Sequence, residues 1–302
     1  MKLIIDTDPG VDDAIAIALA HALPQIDLVG LTTVFGNTFV AQSSRNARYL
    51  ADLLGADVPV AQGAALPWGA ESYVPSANVH GPEGFGEIDV VPEIGRNIDE
   101  TAAEFLVRMA HEHKGELVVC AIGPLTNIAD ALKLDPEFAQ NLGQLVIMGG
   151  AFEAPGNITP HAEANIYHDA AAADFVFASG LSLIMVGLNA TLQTLLTPEE
   201  FAELGQASQK VGGFLEKISH FYLSFYRSVG ITEGCPMHDA LAVLACVFPE
   251  NFTLIEAGLR VPVDGDDLGA TLKDDSRPKV QIAMGVEAAW ATGLMKQSIS
   301  AL

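Results

Sequence analysis

Six short apolar runs punctuate the first two-thirds of the chain: 2–6 (KLIID), 27–35 (DLVGLTTVF), 58–61 (VPVA), 116–122 (ELVVCAI), 144–149 (QLVIMG) and 181–188 (LSLIMVGL). Each is almost continuously apolar. A strand with one wet face alternates, so these runs predict strands buried on both faces, as in a parallel sheet covered by helices. The segments between them carry helix punctuation. Thr101 with Glu104 forms a capping box, and Gly115 stops that helix. Thr197, Pro198 and Glu200 repeat the signature, with proline at the first helical position, and Gly180 closes a helix beginning near Tyr167. Repeated strand–helix units predict an α/β fold: a Rossmann-like, mostly parallel central sheet flanked by helices. Two later runs, 256–264 and 279–286, flank a Gly/Asp-rich stretch and predict an edge hairpin. No linker, repeat or low-complexity segment divides the 302 residues, so a single domain over 1–302 is expected.

Composition narrows the partners. Thirty-eight acidic residues against 15 lysines and arginines give a net charge of −23. Such a surface repels nucleic acid and anionic membranes, and most of the acidity serves solubility. No apolar run reaches the roughly 18 residues that cross a bilayer. A chain opening on MKLIIDTD leaves no room for a signal peptide, so the cytoplasm is the expected location. Three cysteines make neither a disulfide framework nor a paired metal motif. Cys120 and Cys246 lie in apolar runs, whereas Cys235 has a histidine nearby in EGCPMHD.

The acidity has one anomaly. IIDTDPGVDDAIAIALA, residues 4–20, places four aspartates within eight positions at a strand-to-helix junction. Pro9 keeps Asp8 extended, Gly10 permits a tight turn, and the helix begins near Val11 with Asp12 and Asp13 in its first turn. Capping explains one or two of these acids and leaves the others unexplained. All lie at the carboxyl end of a strand, where open α/β sheets bind ligands, and an all-oxygen donor set suits Ca²⁺ or Mg²⁺. In CPMHDALAVLACVF, Pro236 fits a first helical position and puts His238 and Asp239 in an opening turn. In APGNITPHAEANIYHDAAAA, Asn157, Glu163 and Asn165 precede a helix and suit hydroxyl recognition. In AIGPLTNIADAL, Pro124 starts a helix with Thr126 and Asn127 in its first turn. Residues 62–98 are rich in Gly and Pro without periodicity. A loop this long, carrying His80, reads as a substrate-covering loop.

Taken together, DTDPGVDDA, VFGN, NVHGPEG, GPLTNIA, GNITPHAEAN and MHDA occur in an order and spacing that resemble the inosine–uridine-type nucleoside hydrolases, over residues 4–240. The resemblance implies hydrolysis of the N-glycosidic bond of ribonucleosides to ribose and free base, purine or pyrimidine. It implies one Ca²⁺ held by Asp8, Asp13, Asp239 and the main-chain carbonyl of Thr126, with a metal-bound water as nucleophile and Asp8 as general base. Asp12, Asn165 and Asp239 would hold the 2′ and 3′ hydroxyls, Asn157 and Glu163 the 5′ end, and Asn37 would orient the metal ligands. His238 matches the position that protonates the departing base. His80 lies in the loop over the substrate. Tyr222 and Tyr226, four apart on one helical face, would pack against or bond to the base. Family members also suggest a homodimer or homotetramer. With only Trp68 and Trp290 present, a tryptophan sandwich for purines is disfavoured.

Two other functions fit parts of the sequence. IIDTDPG also reads as the strand–Asp–x–Asp of haloacid-dehalogenase-like phosphatases, with Asp6 as nucleophile, Asp8 as acid–base and Mg²⁺ as cofactor; VDGDDLGAT imitates a later motif of that class. A non-catalytic ribose- or nucleoside-binding protein would need the hydroxyl ligands but not a base at Asp8. One residue departs from the hydrolase pattern: Ala164 stands where a bulky, often aromatic side chain is usual. Ala164→Phe is therefore expected to change the KM of ribosides relative to 5′-deoxyribosides, and unchanged constants for both would remove Ala164 from the sugar pocket.

Overall fold

A computed structural model describes all 302 residues. In chain order the elements are β1 (Lys2–Thr7), α1 (Val11–Ala22), β2 (Asp27–Thr33), α2 (Val40–Leu54), β3 (Val60–Gln62), α3 (Ala77–His80), α4 (Ala102–Glu112), β4 (Leu117–Ala121), α5 (Thr126–Leu134), α6 (Phe138–Asn141) and β5 (Gln144–Met148). There follow α7 (Ala164–His168), α8 (Ala170–Ala178), β6 (Leu183–Val186), α9 (Leu188–Thr191), β7 (Leu195–Leu196), α10 (Pro198–Ala207), α11 (Val211–Ser228), β8 (Cys235–Pro236), α12 (His238–Val247), β9 (Phe252–Arg260), β10 (Leu272–Lys273), β11 (Lys279–Val286) and α13 (Ala288–Ile299).

Nine strands form one sheet in the order β10-β9-β11-β6-β5-β4-β1-β2-β3. From β3 to β11 every pairing is parallel, and β9 pairs antiparallel with both β11 and β10. The expected mostly parallel, helix-covered sheet is present, and the expected hairpin lies at one edge. Successive residues of the central strands go to opposite layers. Leu3, Ile5, Val118 and Cys120 pack into the layer with α1, α11 and α12, while Ile4, Leu117 and Val119 pack into the layer with α4, α5 and α8. Burial of both faces is why the strands showed no alternation. α1 is buried from Val11 to Ala20, and its Ala/Ile composition lets it approach α12 closely while covering the sheet.

The chain leaves β1 toward β2 and β3, then returns to place β4 on the other side of β1. Strand order therefore reverses between β1 and β4. At such a switch point the following loops diverge and leave a crevice at the carboxyl ends of the strands.

Several boundaries differ from expectation. Both capping boxes form, at Thr101 and Thr197. Pro124, however, lies two residues ahead of α5, and Pro236 is not the first residue of a helix: it pairs with Leu195 in the short β7–β8 ribbon, and α12 starts at His238. The helix expected from Tyr167 to Gly180 is broken at Asp169, whose side chain caps Ala172. No helix is long and apolar enough to cross a membrane.

Residues 62–98 form an ordered flap. Phe85, wholly buried, packs edge-on against Phe214 and beside Tyr49. Asn46 donates to the carbonyls of Pro9 and Glu83, and Arg48 to that of Ile94. These contacts tie the flap to α2 and bring His80 over the start of α1.

Candidate active site

Asp8 follows β1, Asp12 and Asp13 lie in the first turn of α1, and Asp239 is the second residue of α12. All four are at most 5 % exposed. Carboxylate oxygens of Asp12, Asp13 and Asp239 lie within 4.8 Å of one another. Asp8 falls outside that trio, which includes Asp12, a residue that the resemblance assigned to the sugar rather than the metal. Burial is the main cause that pushes every one of these acids up: Asp12 to about 8, and Asp8 and Asp239 well above the carboxylate range, with mutual repulsion adding to it. The only basic group in ion-pair range is His80, with Nδ1 3.7 Å from Asp12, and burial lowers it to about 3, so it brings no charge at neutral pH.

The hydrogen bonds divide the labour. Asp13 accepts from Thr7 Oγ1 (2.5 Å), the N–H groups of Asp8 (3.2 Å) and Gly10 (2.9 Å), and Asn37 Nδ2 (3.0 Å). It thus caps α1 and braces the whole turn. Asn37 also donates its main-chain N–H to Asp8 Oδ2 at 2.6 Å. By contrast, Asp8 Oδ1 and Asp12 Oδ1 are buried with no partner. The main chain crowds Asp8: a Cβ at Gly36 would strike Oδ2, and one at Gly123 would come within 2.6 Å of Oδ1. Buried carboxylate oxygens without donors, in an all-oxygen cluster, fit a divalent cation.

Thr126 is placed differently from what the motif suggested. It opens α5, its carbonyl enters the helical ladder, and its hydroxyl donates to Asp169 at 2.7 Å. The main chain that comes up beside Asp8 is Ile122–Gly123, where the Ile122 carbonyl accepts from Asn165 Nδ2 at 2.9 Å. Asn165 Nδ2 also donates to the Met148 carbonyl, which leaves its Oδ1 as the group for a ligand. Glu163 is buried, and its two oxygens accept the N–H groups of Gly150, Asn165 and Ile166, joining the end of β5 to α7. Asn157 is exposed and its Oδ1 accepts from Ala164 N.

A second network flanks the acids. Tyr222 donates to Asp12 Oδ2 (3.0 Å), lies 3.4 Å from the Tyr226 hydroxyl, and Tyr226 lies 2.7 Å from His238 Nε2. Burial lowers His238 to about 4. His80 Nδ1 accepts the Val11 N–H at 3.2 Å, and its ring lies over Tyr222. Three neighbours, Tyr73, His168 and Thr191, had no sequence signal, and Asp6, one of the four crowded aspartates, joins them. Tyr73 donates to the Gly36 carbonyl and contacts His168 Nδ1; Thr191 contacts His238 Nδ1; and Asp6, raised by burial to about 7, accepts from Thr32 and Asn127 behind Asp8. Only a periodicity placing Tyr73 in a flap would have hinted at it, and the flap has none. Cys120, Cys235 and Cys246 are buried free thiols, and burial raises the thiol of Cys235.

Comparison with known proteins agrees with this geometry. The sequence profile described as inosine-uridine preferring nucleoside hydrolase matches residues 3–291. The chain is 39 % identical to a probable uridine nucleosidase 2 of Arabidopsis thaliana over 95 % of its length and 94 % of the relative's. It is 40 % identical to the non-specific ribonucleoside hydrolase RihC of Escherichia coli, over 95 % and 94 % of the two chains. Among solved structures, it superposes on a plant nucleoside hydrolase, PpNRh1, with a TM-score of 0.96 and 36 % identity, covering 100 % and 99 % of the chains. A purine-preferring ribonucleoside hydrolase from Gardnerella vaginalis matches at 0.96 and 37 %, covering 100 % and 98 %. The chain belongs to the inosine–uridine preferring nucleoside hydrolase family. It is a ribonucleoside hydrolase, an N-glycosidase of nucleoside catabolism, which sets aside both the phosphatase and the non-catalytic binding protein. The structure agrees about the former: Asp6 is wholly buried and hydrogen-bonded, in no position to attack a phosphate.

The raised acids have a consequence for stability. Asp6 and Asp12 titrate higher in the folded chain than the ordinary 3.8, so their contribution is full below about pH 4 and is lost as pH rises through about 7 and 8. The metal-free protein is expected to lose Tm across that window. A divalent cation at a hundredfold excess over its Kd should restore about 5 °C near pH 8. Calorimetry in chelator showing a flat profile and no response to a divalent cation would contradict the cation site.

Proposed function

We propose that this chain hydrolyses purine and pyrimidine ribonucleosides in a Ca²⁺-dependent reaction with water as nucleophile. The observation that carries the reading is the pair of buried, unpartnered oxygens, Asp8 Oδ1 and Asp12 Oδ1, at the switch point of the sheet. Asp8, Asp13 and Asp239 would hold the ion with a main-chain carbonyl. Sequence resemblance points to Thr126 for that carbonyl, and the placement of the main chain favours Ile122. Bound there, Ca²⁺ supplies the positive charge that offsets the acids, acidifies water and orients ribose hydroxyls.

The chain's own groups supply the rest. Asp8 Oδ1 takes a proton from water, whose hydroxyl adds to C1′ as the C1′–N bond breaks and its electron pair leaves with the base. The base picks up a proton from solvent on the His238 side, and Asp8 returns its own to solvent, so that nucleoside and water give ribose and free base. The oxocarbenium-like sugar in between is stabilised by the surrounding carboxylates. Asp12 Oδ1, Asn165 Oδ1 and Asp239 accept from the 2′ and 3′ hydroxyls. Asn157 and Glu163 serve the 5′ end, Glu163 chiefly by shaping the turn that it caps. His80 closes the flap over the site, and His238, linked to Tyr226 and Tyr222, stands on the side of the base, where it assists base departure.

The nine-stranded sheet draws its strands from residue 2 to residue 286, which supports treating 1–302 as a single domain. Family resemblance extends the proposal to a cytoplasmic homodimer or homotetramer, and a monomer mass in sedimentation equilibrium would remove the assembly. The central experiment measures ribose released from inosine, uridine, cytidine and adenosine, with and without chelator. Asp8→Asn should lower kcat by about 10²–10⁴. Unchanged turnover in that variant, or no ribose from any nucleoside with Ca²⁺ present, would overturn the reading.

A further inference from the structure

The hydrogen-bond chain beside the acids has five members: Thr191, His238, Tyr226, Tyr222 and Asp12. Its links measure 2.8, 2.7, 3.4 and 3.0 Å. Heavy-atom positions do not say which way the protons run, but the chemistry of the two ends does. At one end Asp12 Oδ2 accepts from the Tyr222 hydroxyl, the only donor within reach of it. The Tyr222 oxygen is then left as an acceptor, and only the Tyr226 hydroxyl can fill it. Tyr226, having given its proton to Tyr222, must in turn accept from His238 Nε2.

The other end gives the same direction independently. Thr191 is 0 % exposed, and His238 Nδ1 is the sole hydrogen-bond partner of its hydroxyl. Were Nδ1 the donor, the threonine proton would be buried without an acceptor, and the Tyr222 and Tyr226 oxygens would face each other with no proton between them. Each is a cost of the kind buried polar groups avoid. A neutral imidazole carries one ring proton, and both ends place it on Nε2.

We propose that Thr191 is a positioning residue: by donating to His238 Nδ1 it holds the imidazole as the Nε2–H tautomer, a hydrogen-bond donor on the side of Tyr226 and the leaving base. The site around Thr191 is built for this. Thr194 Oγ1 donates to the Thr191 carbonyl, and Met237 N donates to the Thr194 carbonyl, so the end of α9 and the turn after it are tied to the residue just ahead of His238. The donor and the ring it addresses therefore move as one unit. This inference rests on the reading of His238 as the group that assists base departure.

Two substrates separate that role from a structural one. A nucleoside base leaves with developing negative charge and gains from a donor, whereas para-nitrophenyl riboside expels a stabilised phenolate that needs none. Thr191→Val, nearly isosteric but without a hydroxyl, should lower the ratio of kcat for inosine to kcat for the aryl riboside about 10- to 100-fold, as loss of an orienting partner does elsewhere. Thr191→Ser should restore the ratio. Protein with ¹⁵N-labelled histidine should show His238 protonated at Nε2 and bare at Nδ1, the resonance being assigned by its loss in His238→Gln. Thr191→Val should mix the tautomers. Equal losses on both substrates, or a wild-type ring protonated at Nδ1, would overturn the role given to Thr191. His238→Ala reports on the underlying reading. If it lowers the ratio while Thr191→Val does not, the inference about Thr191 fails alone. If His238→Ala also leaves the ratio unchanged, the role of His238 fails with it.

Discussion

The structure depends on burying negative charge without a basic partner. Desolvating a carboxylate is expensive, and here four meet at one end of the sheet with only neutral histidine nearby. Asp13 is what makes the arrangement buildable. Its four hydrogen bonds hold the Thr7–Asn37 region in one geometry, while Asp8 and Asp12 each keep an oxygen free. Structural satisfaction and chemical availability are assigned to different carboxylates of the same turn. The cation that the free oxygens invite, and the cationic character of a ribosyl transition state, are two ways of compensating the same field.

Around this centre the fold separates rigid support from the groups that meet the substrate. The sheet core and α1 are apolar on all sides and set the positions of Asp8, Asp12 and Asp13. The flap is anchored through Phe85 and through α2, so His80 and Tyr73 are delivered by an irregular segment that is nonetheless well packed. On the other flank, α11 and α12 bring Tyr222, Tyr226 and His238 into a directed chain ending on Asp12. Acids and aromatic groups are thereby coupled: a change in the charge around Asp12 is felt along hydrogen bonds as far as Thr191. The relatives bear names that span uridine, purine and non-specific activity.

Much was legible in the order of residues. Continuous apolar runs revealed a sheet covered on both faces, because burial on two sides removes the need for alternation. Aspartates beside Pro9 and Gly10 revealed a site, because their crowding is costly anywhere except around positive charge. The helix starts were less legible. Pro124 and Pro236 are compatible with a first helical turn, yet the tertiary context uses Pro236 in a two-residue ribbon and delays α5 to Thr126. Local propensity states what a segment tolerates, and packing selects among the tolerated forms.

The sequence by itself determined the fold class, the acid-rich strand-to-helix turn and the residue types offered to a sugar, since each follows from periodicity, backbone restriction or charge within a short window. Only the tertiary structure decided which oxygens remain free, that Ile122–Gly123 rather than Thr126 borders Asp8, and that Thr191 faces His238 across 47 positions. Those relations depend on where separate elements end up after the sheet reverses its order. Hydrogen bonds have ranges of a few ångströms, and no pattern along the chain encodes which distant groups will come that close.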